Sequence, residues 1–371
     1  MSVFSEYGML PDDHHNSALT VNPGVEQPPA VDTVSLQRFL SRKRKILSPD
    51  EYVEGILKGD RIILSQAITL IESSLPKHAQ MAQNIVEQCL PYSGNSMRIG
   101  ITGLPGAGKS TFIETMGSYL TSKGHKLAVL AIDPSSERSK GSILGDKTRM
   151  EELSADPNAF IRPSPSSGSL GGVARKTRET VFLCEAAGFD TIFIETIGVG
   201  QSETAVHYMT DFFLLLQIAG AGDELQGIKR GVMEMADLIA VNKADGSNLE
   251  RAQLAKAQYQ SALRLFPKSL SGWEPQATIC SAVTRFGIDT IWSTVQQYKQ
   301  MTGDNGYFKQ RRRQQAKYWM NETIRNSLVQ HFYNHPDIET LLPEYEQKIV
   351  DDRMSSFTAA QTLLNRYWGS F

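Results

Sequence analysis

The chain has 371 residues, a length that suits one large domain or two domains of ordinary size. Its 38 basic and 40 acidic side chains nearly balance, which argues against a nucleic-acid-binding protein, and no apolar run reaches the roughly 18 residues of a membrane span. Three cysteines, odd in number and far apart, form no disulfide framework, so we expect a cytoplasmic protein without nucleic-acid or membrane partners.

The first part of the chain divides into an extension and a helical segment. Residues 1–34 are polar, contain four prolines and lack lysine and arginine, which predicts a flexible extension rather than a targeting sequence. Residues 35–95 are predicted to form an N-terminal helical segment, in which Gly59 and Asp60 have the residue types of a helix stop followed by an N-cap. The next helix has an apolar stripe at helical spacing, formed by Leu64, Ile68 and Ile71.

Residues 96–300 alternate short apolar runs with helical segments. This alternation is typical of parallel strands joined by crossover helices, so we predict an α/β domain with a mostly parallel sheet flanked by helices. The predicted strands are 98–102, 127–132, 191–195, 212–218, 238–242 and 278–281.

Residues 301–371 turn helical again and are predicted to form a C-terminal arm. One of its helices repeats apolar residues every four positions, at Met320, Ile324, Leu328 and Phe332. Periodicity alone leaves open whether this stripe covers the chain's own core or an interface with a second copy.

A phosphate-binding loop follows the first predicted strand, where residues 103–111 match the pattern G-x-x-x-x-G-K-[ST]. The context fits, because a strand precedes the loop and an amphipathic helix, predicted over 111–121, follows it. Clustered backbone N–H groups at a helix start bind polyphosphate, while Lys109 reaches the β- and γ-phosphates and the Ser110 hydroxyl ligates Mg²⁺. The expected nucleotide contacts are Gly103, Gly106, Ala107, Gly108, Lys109, Ser110 and Thr111.

A base-recognition motif follows the strand predicted at 238–242. Asn242, Lys243 and Asp245 form the pattern N-K-x-D of guanine-specific P-loop proteins. The Asp245 carboxylate can accept hydrogen bonds from guanine N1–H and the exocyclic amine, whereas adenine would leave it unpaired, so the expected ligands are GTP and GDP. Asn242 is expected to link neighbouring loops, and the Lys243 stem to cover the face of the base. Backbone N–H groups that could meet guanine O6 belong to Ser281, Ala282 and Val283.

A third motif follows the strand predicted at 191–195. Glu195-Thr196-Ile197-Gly198 stands where most GTPases have D-x-x-G, whose acid acts on Mg²⁺ through water. No residue identifies itself as the group that positions the attacking water, although Gln201 has the usual residue type for that role. We therefore expect slow intrinsic turnover that a partner accelerates.

Together these motifs resemble those of the methylmalonyl-CoA mutase-associated GTPases, the MeaB/ArgK/MMAA-like family of P-loop G proteins with glutamate in the third motif. The resemblance covers roughly residues 50–335 and leaves the N-terminal extension outside it. It is carried by long and unusual segments, at residues 133–136, 141–150, 162–165, 168–174, 195–203 and 220–229.

The resemblance implies a GTPase chaperone of an adenosylcobalamin-dependent acyl-CoA mutase, which gates cofactor delivery and protects or reactivates the mutase. It implies that Asp133 and Asp146 lie with Glu195 near Mg²⁺ and the γ-phosphate, where these acids act in catalysis together with Lys109. It also implies that residues 220–229 form a switch-like loop that contacts the mutase, and that the C-terminal helices form a homodimer.

Three other functions would use the same phosphate-binding loop. A small-molecule kinase would need a base for its acceptor hydroxyl and would have no use for guanine recognition. A metallochaperone GTPase typically carries Cys/His-rich segments, whereas the cysteines and histidines of this chain are scattered. A non-catalytic, nucleotide-dependent scaffold is less favoured, because Lys109, Ser110 and Glu195 are all present.

Overall fold

The computed structural model describes residues 47–73, 75–133, 150–165, 170–196, 202–220 and 230–369. Residues 48–371 group into one compact unit. Within the described ranges, no helix is long and apolar enough to cross a bilayer.

In the described part of the chain, three α-helices precede the sheet, namely α1 (Pro49–Leu57), α2 (Arg61–Glu72) and α3 (Pro76–Cys89). Gly59 has φ +76° between the first two, and the Asp60 carboxylate caps α2 by accepting hydrogen bonds from the N–H groups of Ile62 (2.8 Å) and Ile63 (3.1 Å). The predicted helix stop and N-cap are therefore confirmed. The predicted stripe is confirmed too, because all three of its residues are buried, namely Leu64, Ile68 and Ile71.

Among the described residues, seven parallel strands form one sheet in the order β3-β2-β4-β1-β5-β6-β7. Each strand aligns in parallel with its neighbours, which confirms the predicted α/β class. The strands are β1 (Met97–Gly103), β2 (Leu127–Asp133), β3 (Ala159–Pro165), β4 (Thr191–Thr196), β5 (Phe212–Ile218), β6 (Leu238–Asn242) and β7 (Gln276–Ile279).

The sequence-based strand assignment was wrong at the two edges of the sheet. β3 was missed because Pro163 and Pro165 lie in it, and proline reads as a strand breaker. An edge strand tolerates proline, since only one side of its backbone must pair. Among the described strands, β3 pairs with β2 alone and so lies at an edge. β7 was predicted two residues too late, because the following Ser281 forms an isolated bridge with Phe286 rather than continuing the strand.

Helices cover both faces of the sheet. α4 (Lys109–Ser122) and α10 (Ile288–Asp304) pack on one face, whereas α8 (Arg230–Met235) and α9 (Leu249–Leu263) pack on the other. The remaining helices of this region are α5 (Glu151–Ala155), α6 (Leu170–Ala186) and α7 (Ser202–His207).

The C-terminal arm consists of α11 (Tyr307–Tyr333), α12 (Pro336–Val350) and α13 (Ser356–Trp368). Three of the four residues of the predicted stripe on α11 do not serve the chain's own core, because Met320, Ile324 and Leu328 are 57%, 51% and 61% exposed. The fourth, Phe332, is half-buried and makes an edge-to-face contact with Tyr367 of α13. Trp319, the neighbour of Met320, is buried at 6% exposure. The exposed residues of the stripe and the core residue therefore lie on different faces of the same helix.

Buried ion pairs attach α11 to the amino-terminal ends of the strands. The phosphate-binding loop lies at the opposite, carboxyl-terminal ends. The Arg312 guanidinium donates to both carboxylate oxygens of Asp211, at 2.8 and 2.6 Å. Asp211 also accepts a hydrogen bond from the backbone N–H of Arg98 (2.9 Å), and the Arg98 side chain forms a two-bond pair with Glu185. These contacts hold the start of the arm against β1 and β5.

Candidate nucleotide site

The phosphate-binding loop lies between the end of β1 at Gly103 and the start of α4 at Lys109. α4 begins two residues earlier than predicted, which places both Lys109 and Ser110 in its first turn. Gly106 and Gly108 have φ +81° and +85°, a region that side-chain-bearing residues rarely adopt. A Cβ atom on Gly108 would also lie 2.8 Å from Asn242 Nδ2. The loop therefore needs glycine for its backbone and for its close packing.

The Lys109 ammonium lies over the phosphate-binding loop, where Nζ donates to the carbonyl oxygens of Gly103 (2.9 Å) and Leu104 (3.3 Å). Burial lowers the pKa of Lys109, and the negative charges of Glu195 and Glu203 oppose that shift. A partly buried cation on a loop of this geometry is suited to hold the β- and γ-phosphates of a nucleotide.

The Asn242 side chain links the phosphate-binding loop to the loop that follows β7. Its Nδ2 donates to Ala107 O (2.9 Å), while its Oδ1 accepts from Ala282 N (3.1 Å) and from Cys280 Sγ (3.6 Å). Asn242 is 1% exposed, so these bonds are shielded from water. The amide therefore fixes the distance between the two loops.

The Asp245 carboxylate is held by the loop after β7. Ser281 Oγ donates to Asp245 Oδ2 at 2.5 Å, and Ser281 Oγ itself accepts from Thr284 N at 3.2 Å. The preceding Lys243 has φ +60°, which turns the chain sharply after β6. Asp245 thus presents a positioned carboxylate, the group that would pair with the guanine N1–H and exocyclic amine.

The three N–H groups expected to meet guanine O6 have different surroundings. Ser281 N donates to Phe286 O (2.9 Å), and Ala282 N donates to Asn242 Oδ1 (3.1 Å). Val283 is largely exposed. An O6 contact from Ser281 or Ala282 would have to share an N–H that already has an acceptor, so this role stays a prediction.

Glu195 is buried near the end of β4, between β1 and β2, where it aligns with Ile101 and Ala131. Its neighbour Thr196 donates a hydrogen bond to Thr102 across the strands, at 2.7 Å between the two hydroxyl oxygens. The strand end that bears Glu195 is therefore tied to the strand that leads into the phosphate-binding loop.

Several predicted residues lie wholly or partly outside the described part of the chain. Asp133 ends β2, but its side chain is not described, and Asp146, Gln201 and residues 221–229 lie in the gaps. Among described residues, no group of three or more His, Cys, Asp and Glu is arranged to hold a metal ion. Mg²⁺ in nucleotide sites takes only one or two carboxylates besides phosphate and water, so the donor set of Ser110 and Glu195 fits it.

Two features of this site were missed by sequence reasoning. Glu203, in the first turn of α7, is 4% exposed, and its negative charge, like that of Glu195, opposes the lowering of the Lys109 pKa by burial. The sequence did offer a signal for this role, because Glu203 is an acidic residue at the start of a helix that follows the third motif. Ser281 was expected to act through its backbone N–H, whereas its hydroxyl bonds to Asp245.

Comparison with known proteins identifies the family. The profile of the family described as "Methylmalonyl Co-A mutase-associated GTPase MeaB" matches residues 64–337. A probable GTPase of Mycobacterium tuberculosis is 48% identical over 85% of this chain and 95% of its own length. The GTPase ArgK of Escherichia coli is 44% identical over 84% of this chain and 95% of its own length.

Two further relatives extend the comparison to animals and to a solved structure. The mitochondrial methylmalonic aciduria type A homolog of Mus musculus is 44% identical over 86% of this chain and 79% of its own length. A crystal structure titled "LAO/AO transport system kinase" has a TM-score of 0.70 and 36% identity, over 86% of this chain and 97% of that one. The chain therefore belongs to the family of methylmalonyl-CoA mutase-associated GTPases, P-loop enzymes that bind guanine nucleotides and hydrolyse GTP.

Proposed function

We propose that this protein is a GTP-dependent chaperone of an adenosylcobalamin-dependent acyl-CoA mutase, which it protects or reactivates while gating delivery of the cofactor. The family match supports the mutase as client, since the family is described by that association. The observation that carries the nucleotide part is the Asn242 side chain, which joins the phosphate-binding loop to the loop that holds Asp245.

The proposed nucleotide lies across the carboxyl ends of the strands, as ligands do in sheets of this type. Its phosphates contact the N–H groups of residues 103–111, with Lys109 at the β- and γ-phosphates. Its guanine base pairs with Asp245, and the Lys243 stem covers one face of the base. In hydrolysis, water attacks the γ-phosphorus in line with the leaving oxygen, and Lys109 and the loop N–H groups stabilise the charge that develops.

Mg²⁺ is the metal that this site would hold. When bound, the ion would neutralise negative charge on the β- and γ-phosphates of the nucleotide. Ser110 and Glu195 are the proposed ligands among the described side chains, and the resemblance adds Asp133 and Asp146. Glu195 is longer than aspartate by one methylene group, so it would reach the metal ion or its bound water differently from the aspartate of D-x-x-G proteins. None of these residues identifies the group that positions the attacking water.

The protein is proposed to contact its mutase through residues 220–229 and to form a homodimer through the C-terminal arm. The exposed stripe of α11 (Met320, Ile324 and Leu328) supports the dimer, because large apolar side chains at helical spacing usually mark an interface. Sedimentation of the full chain tests it: a dimer that Met320→Glu dissociates agrees, and a wild-type monomer contradicts it. The cytoplasmic location stays a prediction.

Single-turnover GTP hydrolysis, with and without a purified acyl-CoA mutase, tests the proposed function. We expect slow hydrolysis by the protein alone and acceleration by the mutase, but no acceleration by an acyl-CoA enzyme that does not use adenosylcobalamin. Lys109→Ala should reduce hydrolysis by about 10²–10³-fold, because it removes a charge that stabilises the transition state. Rapid turnover that no mutase changes would contradict the chaperone proposal.

A further inference from the structure

The short helix α7 (Ser202–His207) lies between the third GTPase motif and strand β5. Glu203, in its first turn, is buried and acts on the charge of Lys109 in the phosphate-binding loop. The negative charge at the amino-terminal end of α7 therefore acts on the phosphate-binding loop.

The body of α7 packs closely on the sheet. Val206 is fully buried, and a Cβ atom placed on Gly100 of β1 would lie 3.0 Å from Val206 Cγ1. His207, at the other end of the helix, makes edge-to-face contacts with Phe213 of β5 and with Tyr208. Because Val206 is buried this close to β1, α7 has little room to shift independently of the strand that leads into the phosphate-binding loop.

Residues 208–211 connect α7 to β5, and one face of α11 contacts this connection. This anchor face consists of residues at helical spacing, each of which contacts the connection directly, namely Arg312, Gln315, Tyr318 and Trp319.

Every residue of the anchor face has a defined partner in the connection. The Tyr318 ring stacks on Tyr208, with centroids 4.0 Å apart and an interplanar angle of 11°. Trp319 Nε1 donates to Tyr208 O at 2.9 Å, and Gln315 Nε2 donates to Thr210 O at 2.7 Å. Arg312 completes the set with its pair to Asp211.

We propose that the anchor face of the C-terminal arm positions the GTPase site through α7, and that Tyr318 and Trp319 are positioning residues for GTP hydrolysis. From Glu203 to Tyr208 the helix rises only about 8 Å, so a change at the arm reaches the phosphate-binding loop through one helical element. The inference rests on the proposed nucleotide site around Lys109, but it does not depend on which mutase is the client.

The expected kinetic signature is a change in kcat with little change in KM for GTP. The charge of Glu203 in α7 acts on Lys109, the residue expected to stabilise the charge that develops in the transition state. The base would pair instead with Asp245, on a loop that Asn242 links to the phosphate-binding loop, and the anchor face contacts neither residue among the described residues. Disturbing α7 should therefore weaken catalysis more than binding.

The test measures steady-state GTP hydrolysis by the full chain without partners. Tyr318→Leu removes the stacked ring, whereas Tyr318→Phe keeps it and should rescue the activity. Trp319→Phe keeps an aromatic ring but removes the N–H donor to Tyr208 O together with part of a buried ring, and it serves as a second, independent variant. The matched control is Tyr333→Leu, the same substitution at a half-exposed aromatic residue near the far end of α11.

We expect Tyr318→Leu to lower kcat about three- to tenfold, the effect of one lost aromatic contact, with KM unchanged within about twofold. Tyr318→Phe and Tyr333→Leu should match wild type. Wild-type activity in both Tyr318→Leu and Trp319→Phe would overturn the inference and leave the proposed function intact. The same conclusion would follow if kcat fell no further in these two variants than in Tyr333→Leu. A wild-type chain that does not hydrolyse GTP would overturn the proposed nucleotide site, and the inference with it.

Discussion

Replacing Asn242 by alanine would remove an amide that bonds to two loops of the proposed nucleotide site. The substitution leaves Ala107 O and Ala282 N without the partners that they have at 2.9 and 3.1 Å. Both residues are buried, and a buried polar group that loses its partner costs about 1–3 kcal/mol. The free energy of unfolding should therefore fall by roughly 2–6 kcal/mol.

Urea unfolding of the nucleotide-free chain measures this cost, and titration with GDP measures its effect on binding. The matched control is Asn248→Ala, which removes an exposed amide that donates to Lys243 O at 2.7 Å in the same region. That control should stay within about 1 kcal/mol of wild type, because water can replace the lost partner. Asn242→Ala should also weaken GDP binding, since the two loops lose their fixed spacing. A stability loss no greater than that of Asn248→Ala would refute the reasoning.

Two further predictions concern buried ionisable side chains near the start of α11. Arg312→Leu leaves Asp211 buried without its main cationic partner, so urea unfolding should show a loss of about 3–5 kcal/mol, and a loss below roughly 1 kcal/mol would contradict it. Burial, with Arg311 nearby, lowers the pKa of His207 from 6.5 to about 3, so only the unfolded chain gains this proton as the pH falls below 6.5. This contribution to stability is complete above pH 6.5 and decreases toward pH 3, by about 2 kcal/mol at pH 5. His207→Gln should reduce the stability difference between pH 7 and pH 5, and an unchanged difference would rule this out.

The sequence predicted those parts of the molecule that depend on local pattern. The phosphate-binding loop, the position of the guanine motif at the end of a strand, and five of the strands could each be predicted from a short stretch of consecutive residues. β3 shows the limit of such reasoning, because its two prolines read as a break unless the strand is known to lie at an edge.

Contacts between distant segments could not be predicted. The stacking of Tyr208 on Tyr318 and the link from Asn242 to Ala107 join residues more than 100 positions apart, and no pattern in either segment names the other. The α11 stripe is a related case. Its four-residue period indicates a covered face, but only the folded chain shows that Met320 and Ile324 are not covered by the chain itself.

Calorimetric titration with GDP and ADP in the presence of Mg²⁺ tests the central claim, that a guanine nucleotide binds across the strand ends and is recognised by Asp245. The account predicts that wild type binds GDP at least about 10³-fold more tightly than ADP, because adenine leaves the Asp245 carboxylate without its partners. It also predicts that Asp245→Ala removes most of this preference while the fold is kept. ADP binding as tight as GDP binding, or full guanine preference in Asp245→Ala, would contradict it.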